Sequence, residues 1–220
     1  DLSPSSYLRD CIEPSLDENV ERLSNQGGYS DPVTAGGYIT YSGHNVKYLC
    51  YNAEYYLPCI VQQPMVKNHF EQELNSLVRG RTETCVQELL SEYERRGYDV
   101  SGGESVSSSV EIVPGQMKFL ISAPMSVTKG STTTFNNFEV IIPSKMYEIL
   151  MIAQNVVSWE SSVIGNVEPI SYSRYYDSID VVRNELGDGS TIFTVKDVVS
   201  QEEFTFASRS QAWPAGLGLA

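Results

Sequence analysis

Residues with chemistry to offer are few and scattered. The chain carries two histidines, His44 and His69, and four cysteines, Cys11, Cys50, Cys59 and Cys85. Zinc needs such residues in short-spaced sets, and neither histidine lies at ligand spacing from a cysteine. His69 is followed by Phe70-Glu71 with no second histidine, so the H-E-x-x-H helix of a metalloprotease is absent. The nearest string to a serine-hydrolase elbow, Gly28-Tyr29-Ser30-Asp31-Pro32, ends in proline where glycine is required. Gly216-Leu217-Gly218 has no helix after it to cradle phosphate. A glycosidase pair can be drawn from anywhere among 28 acidic residues, so their number points to no site. Beside a glycine turn, His44 reads as an exposed loop residue, and His69 as a polar position on a helix. Glu185, Asp188 and Asp197 have the oxygen ligands calcium prefers, but no EF-hand loop surrounds them and they read as solvated turn acids. The expectation is a non-enzyme: no catalytic residue, no metal and no cofactor.

The cysteines have a different use. They form an even set within the first 85 residues and contain no C-x-x-C pair. That fits two disulfides made in an oxidising compartment, against the alternative of four buried thiols. Four cysteines allow three connectivities. Cys11 and Cys85 border apolar stripes of helices that should pack together, while Cys50 and Cys59 flank one turn. The predicted pairs are therefore Cys11–Cys85 and Cys50–Cys59.

Two groups of residues are candidates for contact rather than catalysis. Of fourteen tyrosines, Tyr38, Tyr41, Tyr48, Tyr51, Tyr55 and Tyr56 gather around one predicted hairpin. Tyrosine supplies rigid, amphipathic area at interfaces, although cross-strand packing alone also places it there. The uncharged C-terminal segment holds Trp213, Leu217 and Leu219. It either folds back on its own core or inserts beside a strand of a neighbouring copy.

The elements that must carry these groups follow from periodicity. Ser3-Pro4 opens a helix whose apolar positions are Leu8, Ile12, Leu16, Val20 and Leu23, with Pro14 expected to kink it and Gly27-Gly28 to end it. Tyr38–Val61 reads as strands with turns at Gly43-His44-Asn45 and Asn52-Ala53-Glu54. Pro64 starts a long helix with the stripe Val66, Phe70, Leu74, Leu77/Val78, Cys85, Leu89 and Tyr93, capped by Gly97. Ser101–Ser109 reads as a polar linker. Strands are expected at Val110–Val113, Met117–Val127 and Thr132–Ile142, then a helix capped by Ser144 and running to Trp159. Ile179–Arg183, Thr191–Lys196 and Glu203–Ser208 complete the set, with Asp188-Gly189 as a hairpin turn. The fold class is α+β: antiparallel sheets with hairpins packed against three helices, one of them long. Residues 1–100 should form a two-helix, disulfide-stapled region with an inserted β-hairpin. Residues 101–220 should form an antiparallel β region with one helix and the C-terminal tail, the alternative being that both regions make one compact unit.

Composition excludes some functions. With 41% hydrophobic and 20% charged residues the chain is expected to fold, and its formal net charge of −13 argues against nucleic acid as a partner. Tyr147–Trp159, the most apolar stretch, is too short to span a bilayer and is broken by Gln154 and Asn155.

Four motifs, taken in order, carry a resemblance. They are Asn25-Gln26-Gly27-Gly28-Tyr29 after a cysteine-bearing helix, and Gly97-Tyr98-Asp99-Val100 after a long helix bearing Cys85. Phe138-Glu139-Val140-Ile141-Ile142-Pro143 then leads into a third helix, and a late hairpin holds Phe193-Thr194-Val195-Lys196-Asp197 and Phe204-Thr205-Phe206-Ala207. In this order they resemble a group of uncharacterised archaeal secreted or membrane-anchored proteins, common in small-genome lineages. The resemblance spans most of the chain, and the Cys50/Cys59 pair lies outside the family pattern. It implies an extracellular or cell-surface location and a membrane anchor upstream of residue 1; the opening Asp-Leu-Ser-Pro-Ser-Ser reads as a linker or a processed end. No activity comes with it. The functional expectation is a structural surface protein that self-assembles, as a filament or surface-layer subunit whose partner is another copy of itself. The alternatives are an adhesion or ligand-binding module using the tyrosine-rich hairpin, and a hydrolase with a dispersed carboxylate site.

Overall fold

The computed structural model describes residues 2–54, 56–162, 172 and 176–211. They form two compact units that interleave in sequence: residues 1–21 with 71–143, and residues 22–70 with 144–220. This division differs from consecutive halves at residue 100: two of its boundaries fall inside the helices α1 (Pro4–Asn25) and α3 (Val66–Arg95), and the third between Pro143 and Ser144.

In the first unit, Ser3 begins α1 by accepting at its carbonyl from the Tyr7 N–H (3.0 Å), and Pro4 takes the first helical position. Leu8, Ile12 and Leu16 are buried at helical spacing. On α3 the buried series is Leu74, Val78, Cys85, Val86, Leu89, Leu90 and Tyr93, and the helix runs unbroken through Gly80. The predicted Cys11–Cys85 disulfide joins the two helices, with Cα atoms 5.9 Å apart. Gly97 ends α3 with φ +80°, and Tyr98 donates its N–H back to the Tyr93 carbonyl (3.1 Å).

The sheet of this unit consists of β4 (Asp99–Gly102), β5 (Ser107–Val113), β6 (Gln116–Lys129) and β7 (Ser131–Pro143), with β4, β5 and β7 all antiparallel to β6. Strict alternation along β6 buries Met117, Phe119, Ile121, Ala123, Met125 and Val127 on one face. Val110 and Ile112 of β5 and Phe138, Val140 and Ile142 of β7 are buried as well. Residues 101–109, expected as a linker, instead supply the second half of β4 and the start of β5. Their serines leave the backbone able to pair, and the ladder to β6 satisfies it. Gly102 is required there: a Cβ would stand 2.5 Å from the Pro124 carbonyl oxygen.

The second unit is built on a six-stranded sheet. Its strands are β1 (Tyr38–Tyr41), β2 (His44–Tyr51), β3 (Ile60–Val61), β8 (Ile179–Glu185), β9 (Thr191–Asp197) and β10 (Glu203–Arg209). The order is β1-β2-β10-β9-β8, with β3 also on β2. All neighbours are antiparallel except β2 and β10, which run parallel. The turn between β1 and β2 is Ser42-Gly43, with φ +48° and +84°, one residue earlier than expected. A two-residue hairpin loop needs positive φ at both centres, so His44 is drawn into β2 opposite Tyr41, exposed but not in a loop. Pro58 shortens the expected second hairpin: among the described residues of its second strand, only Ile60 and Val61 pair with β2. Cys50 and Cys59 form the second predicted disulfide.

A helix with no counterpart in the sequence reading, α2 (Pro32–Ala35), is one turn capped by Asp31, which accepts from the Thr34 N–H (3.1 Å). The helix after Ser144, α4 (Met146–Glu160), packs against β2, β9 and β10. Ser144 Oγ accepts from the Met146 N–H (3.1 Å) and donates to Glu202 (2.6 Å). Phe193 and Phe206 stack at 5.5 Å, and Phe70 meets Phe204 edge-on at 6.1 Å.

Asp197, at the end of β9, is fully buried. Burial pushes its carboxyl up, but the Ser178 hydroxyl (2.5 Å) and the Ser200 and Val199 N–H groups (2.7 and 3.1 Å) hold it below the usual carboxylate value. A depressed folded pKa contributes stability that is present above the unfolded value of about 4 and lost as pH falls through the folded value. Asp197→Asn should therefore flatten the pH dependence of unfolding below about pH 4, and Asp197→Ala should cost about 1–3 kcal/mol at pH 7. Denaturant midpoints across that range measure both; an unchanged acid slope in Asp197→Asn contradicts the assignment.

Candidate ligand-binding site

The tyrosine-rich hairpin does not present one face. Tyr48 is buried (7% exposed) and shares a hydrogen bond with Ser190 Oγ at 2.7 Å, while Tyr38 and Tyr51 stay open at 39% and 38%. Tyr48 thus corrects the expectation of a surface contact residue. It packs with Val46, Ile192 and Ala207, and that burial raises its phenol pKa. Tyr41 is half-buried and accepts from Asn184 Nδ2 at 2.7 Å. Tyr56 is exposed in the loop before β3; Tyr55, Trp213, Leu217 and Leu219 lie outside the described residues.

Tyr38, Tyr48 and Tyr51 meet at a pocket of about 420 Å³ that Gly37, Lys47, Gln62, Asp188 and Arg209 complete. Alternation along β2 cannot alone explain this. The parallel pairing with β10 sets Arg209 opposite Tyr51, and the β8–β9 turn brings in Asp188. The Arg209 guanidinium lies 5.9 Å from the Tyr51 ring centre, in cation–π range, and Tyr51 meets Tyr48 edge-on at 5.0 Å. Arg209 Nη1 donates to the carbonyls of Asn52 (2.9 Å) and Ala53 (2.8 Å), and Nε to that of Asp188 (3.2 Å). The Asn52 N–H returns a bond to the Arg209 carbonyl at 2.9 Å. The Cys50–Cys59 disulfide closes this same loop, so the covalent link and the arginine hold one wall of the pocket together.

Lys47 forms part of the floor. It is buried, its Nζ donates to the carbonyls of Gly36 and Ala35, and burial lowers its pKa. The ammonium also stands 5.0 Å from the Tyr29 ring centre. Gly27 lets the turn pass close to β2 at Lys47: with φ +68°, a Cβ there would come within 2.8 Å of the Lys47 Cβ. The Gln26-Gly27-Gly28-Tyr29 segment is thus a structural joint. Gly28 donates its N–H to the Leu23 carbonyl (2.8 Å), and Tyr29 donates its hydroxyl to Gln63 Oε1 (2.8 Å). Tyr29 also packs on His69 at 4.1 Å between ring centres. His69 is accordingly half-buried under the glycine turn, not on a polar helix face as its spacing suggested.

The other acids and sulfurs do not gather into a ligand set among the described residues. Glu185 pairs with Arg183 at 2.6 Å, and Asp188 and Asp197 lie at opposite ends of β9. Cys11, Cys85 and Glu88 approach one another, but both sulfurs are spent in the disulfide and offer no thiolate. No helix among the described residues is long and apolar enough to cross a membrane. Gln62, Asp188 and Arg209 escaped the sequence reading as pocket residues. In the sequence Asp188 stands out as a turn signal and as one of three acids with calcium-type oxygens, and nothing local marks the other two.

The chain matches no family model, no curated protein and no solved structure.

Proposed function

We propose that this protein is a non-enzymatic extracellular binding module that holds a small polar ligand in the Tyr38–Tyr51–Arg209 pocket. One observation carries the reading: three tyrosines of the hairpin converge with two cationic side chains and an acidic turn in one concave site. Two disulfides are compatible with an oxidising compartment, and support the extracellular part of it. Tyr38 and Tyr51 are open enough to be changed without emptying the core. A glycan array probed with the wild type and with Tyr38→Ala/Tyr51→Ala tests the reading. The wild type should bind and the double variant lose at least tenfold, a loss of about 1.4 kcal/mol, at an unchanged melting temperature. Equal binding by both, or by neither, overturns it.

A second reading, assembly into a surface layer or filament, is favoured by β7. This thirteen-residue strand pairs only with β6 among the described residues and carries one charge, Glu139. Long, weakly charged edges are templates for pairing with another chain. Particle size under native conditions separates the readings: a polymer favours assembly through this edge, a monomer the binding module.

A further inference from the structure

The polar groups of the pocket narrow the ligand class, an inference that rests on the binding reading above. Several of the acceptors at the site are engaged within the protein. The Asp188 carboxylate, on the pocket lining, takes the Ser190 N–H at Oδ1 (2.9 Å) and the Ser190 hydroxyl at Oδ2 (3.1 Å), one bond to each oxygen. The carbonyls of Asn52, Ala53 and Asp188 all receive Arg209. Donors remain. Arg209 spends Nε and Nη1 on those carbonyls, and Nη2 has no hydrogen-bond partner among the described residues. Gln62 uses Nε2 on the Ile60 carbonyl (2.9 Å) and keeps one amide hydrogen. A site with surplus donors around a guanidinium favours an anionic acceptor, through hydrogen bonds stronger than neutral ones.

The rest of the lining limits what the anion can be attached to. Tyr38 and Tyr51 offer partly exposed rings, flat apolar surfaces edged by hydroxyls, which suit a body with a C–H face and a polar rim. A volume of about 420 Å³ falls in the range of small-ligand sites. The net charge of −13 repels a polyanion over distances where a single charge is only weakly opposed. We infer that the pocket binds a saccharide bearing one carboxylate, of the uronic-acid type, with the carboxylate on Arg209 Nη2 and the sugar ring against the tyrosines.

Isothermal titration of the oxidised wild-type protein tests this, with a glucuronic-acid-containing disaccharide, the matching neutral disaccharide and a sulfated polysaccharide as probes. The acidic disaccharide should bind roughly tenfold tighter than the neutral one, the yield of one charge-assisted bond. Arg209→Gln should bring that ratio near one, and Arg209→Lys should keep part of it. Because Arg209 also holds the 52–53 loop, the wild-type comparison is decisive even where a variant unfolds. Equal affinity for the acidic and neutral sugars, or preference for the sulfated polymer, overturns the inference while leaving the binding reading intact. Binding of neither disaccharide overturns the inference too, and the binding reading falls with it only where the glycan array also shows no tyrosine-dependent ligand.

Discussion

Replacing Cys11 and Cys85 together with alanine should lower the unfolding free energy by about 4 kcal/mol, the largest single effect of any covalent change in the chain. The two cysteines are 74 residues apart in sequence, and the bond ties α1 to the middle of α3. Without it the unfolded chain regains most of the freedom that the long closed loop denies it. The Cys50–Cys59 bond closes only 9 residues of separation, and its loss should cost about 2.5 kcal/mol by the same argument. Urea titrations of the two double variants under oxidising conditions give the comparison. A Cys11/Cys85 variant no less stable than the Cys50/Cys59 variant would show that the short clamp dominates. The short bond has the more local consequence, since its loop presents the carbonyls that hold Arg209.

Phe206→Ala should cost about 3–5 kcal/mol, the usual result of emptying a fully buried aromatic position. Phe206 has no exposed surface, stacks on Phe193 and lies 5.9 Å from Phe204 between ring centres. It sits on β10, the strand that joins β2 to β9 and against which α4 packs. Val182→Ala, on the edge strand β8 and half-exposed, provides the contrast and should change stability by about 0.5 kcal/mol or less. Thermal or denaturant unfolding measures both. Similar losses at the two positions would mean that the aromatic layer is not the centre of this unit.

Local pattern made much of this protein legible. The 3.6-residue spacing of Leu8, Ile12 and Leu16, and of Phe70, Leu74 and Val78, marked two helices because each buries one stripe. Alternation did the same for β6, where every second residue from Met117 to Val127 is buried. Both disulfides followed from cysteines placed on neighbouring stripes or across one turn. These features depend on residues close in sequence, or on the face that a regular element must hide.

Tertiary structure decided what periodicity does not record. Ser101–Ser109 looks like a linker by composition, yet pairing with β6 makes most of it strand, because a ladder is formed by backbone groups that every serine and glycine carries. Clustering of tyrosines in sequence left open which would face solvent. Pairing of β2 with β10 put Tyr48 inside and left Tyr38 and Tyr51 at the surface. The same parallel pairing brought Arg209 to Tyr51 across more than 150 residues of chain. The identities of hairpin residues were thus written locally. Their meeting with Arg209 and Asp188 was not, because the choice of neighbouring strand depends on the whole sheet burying its two faces at once.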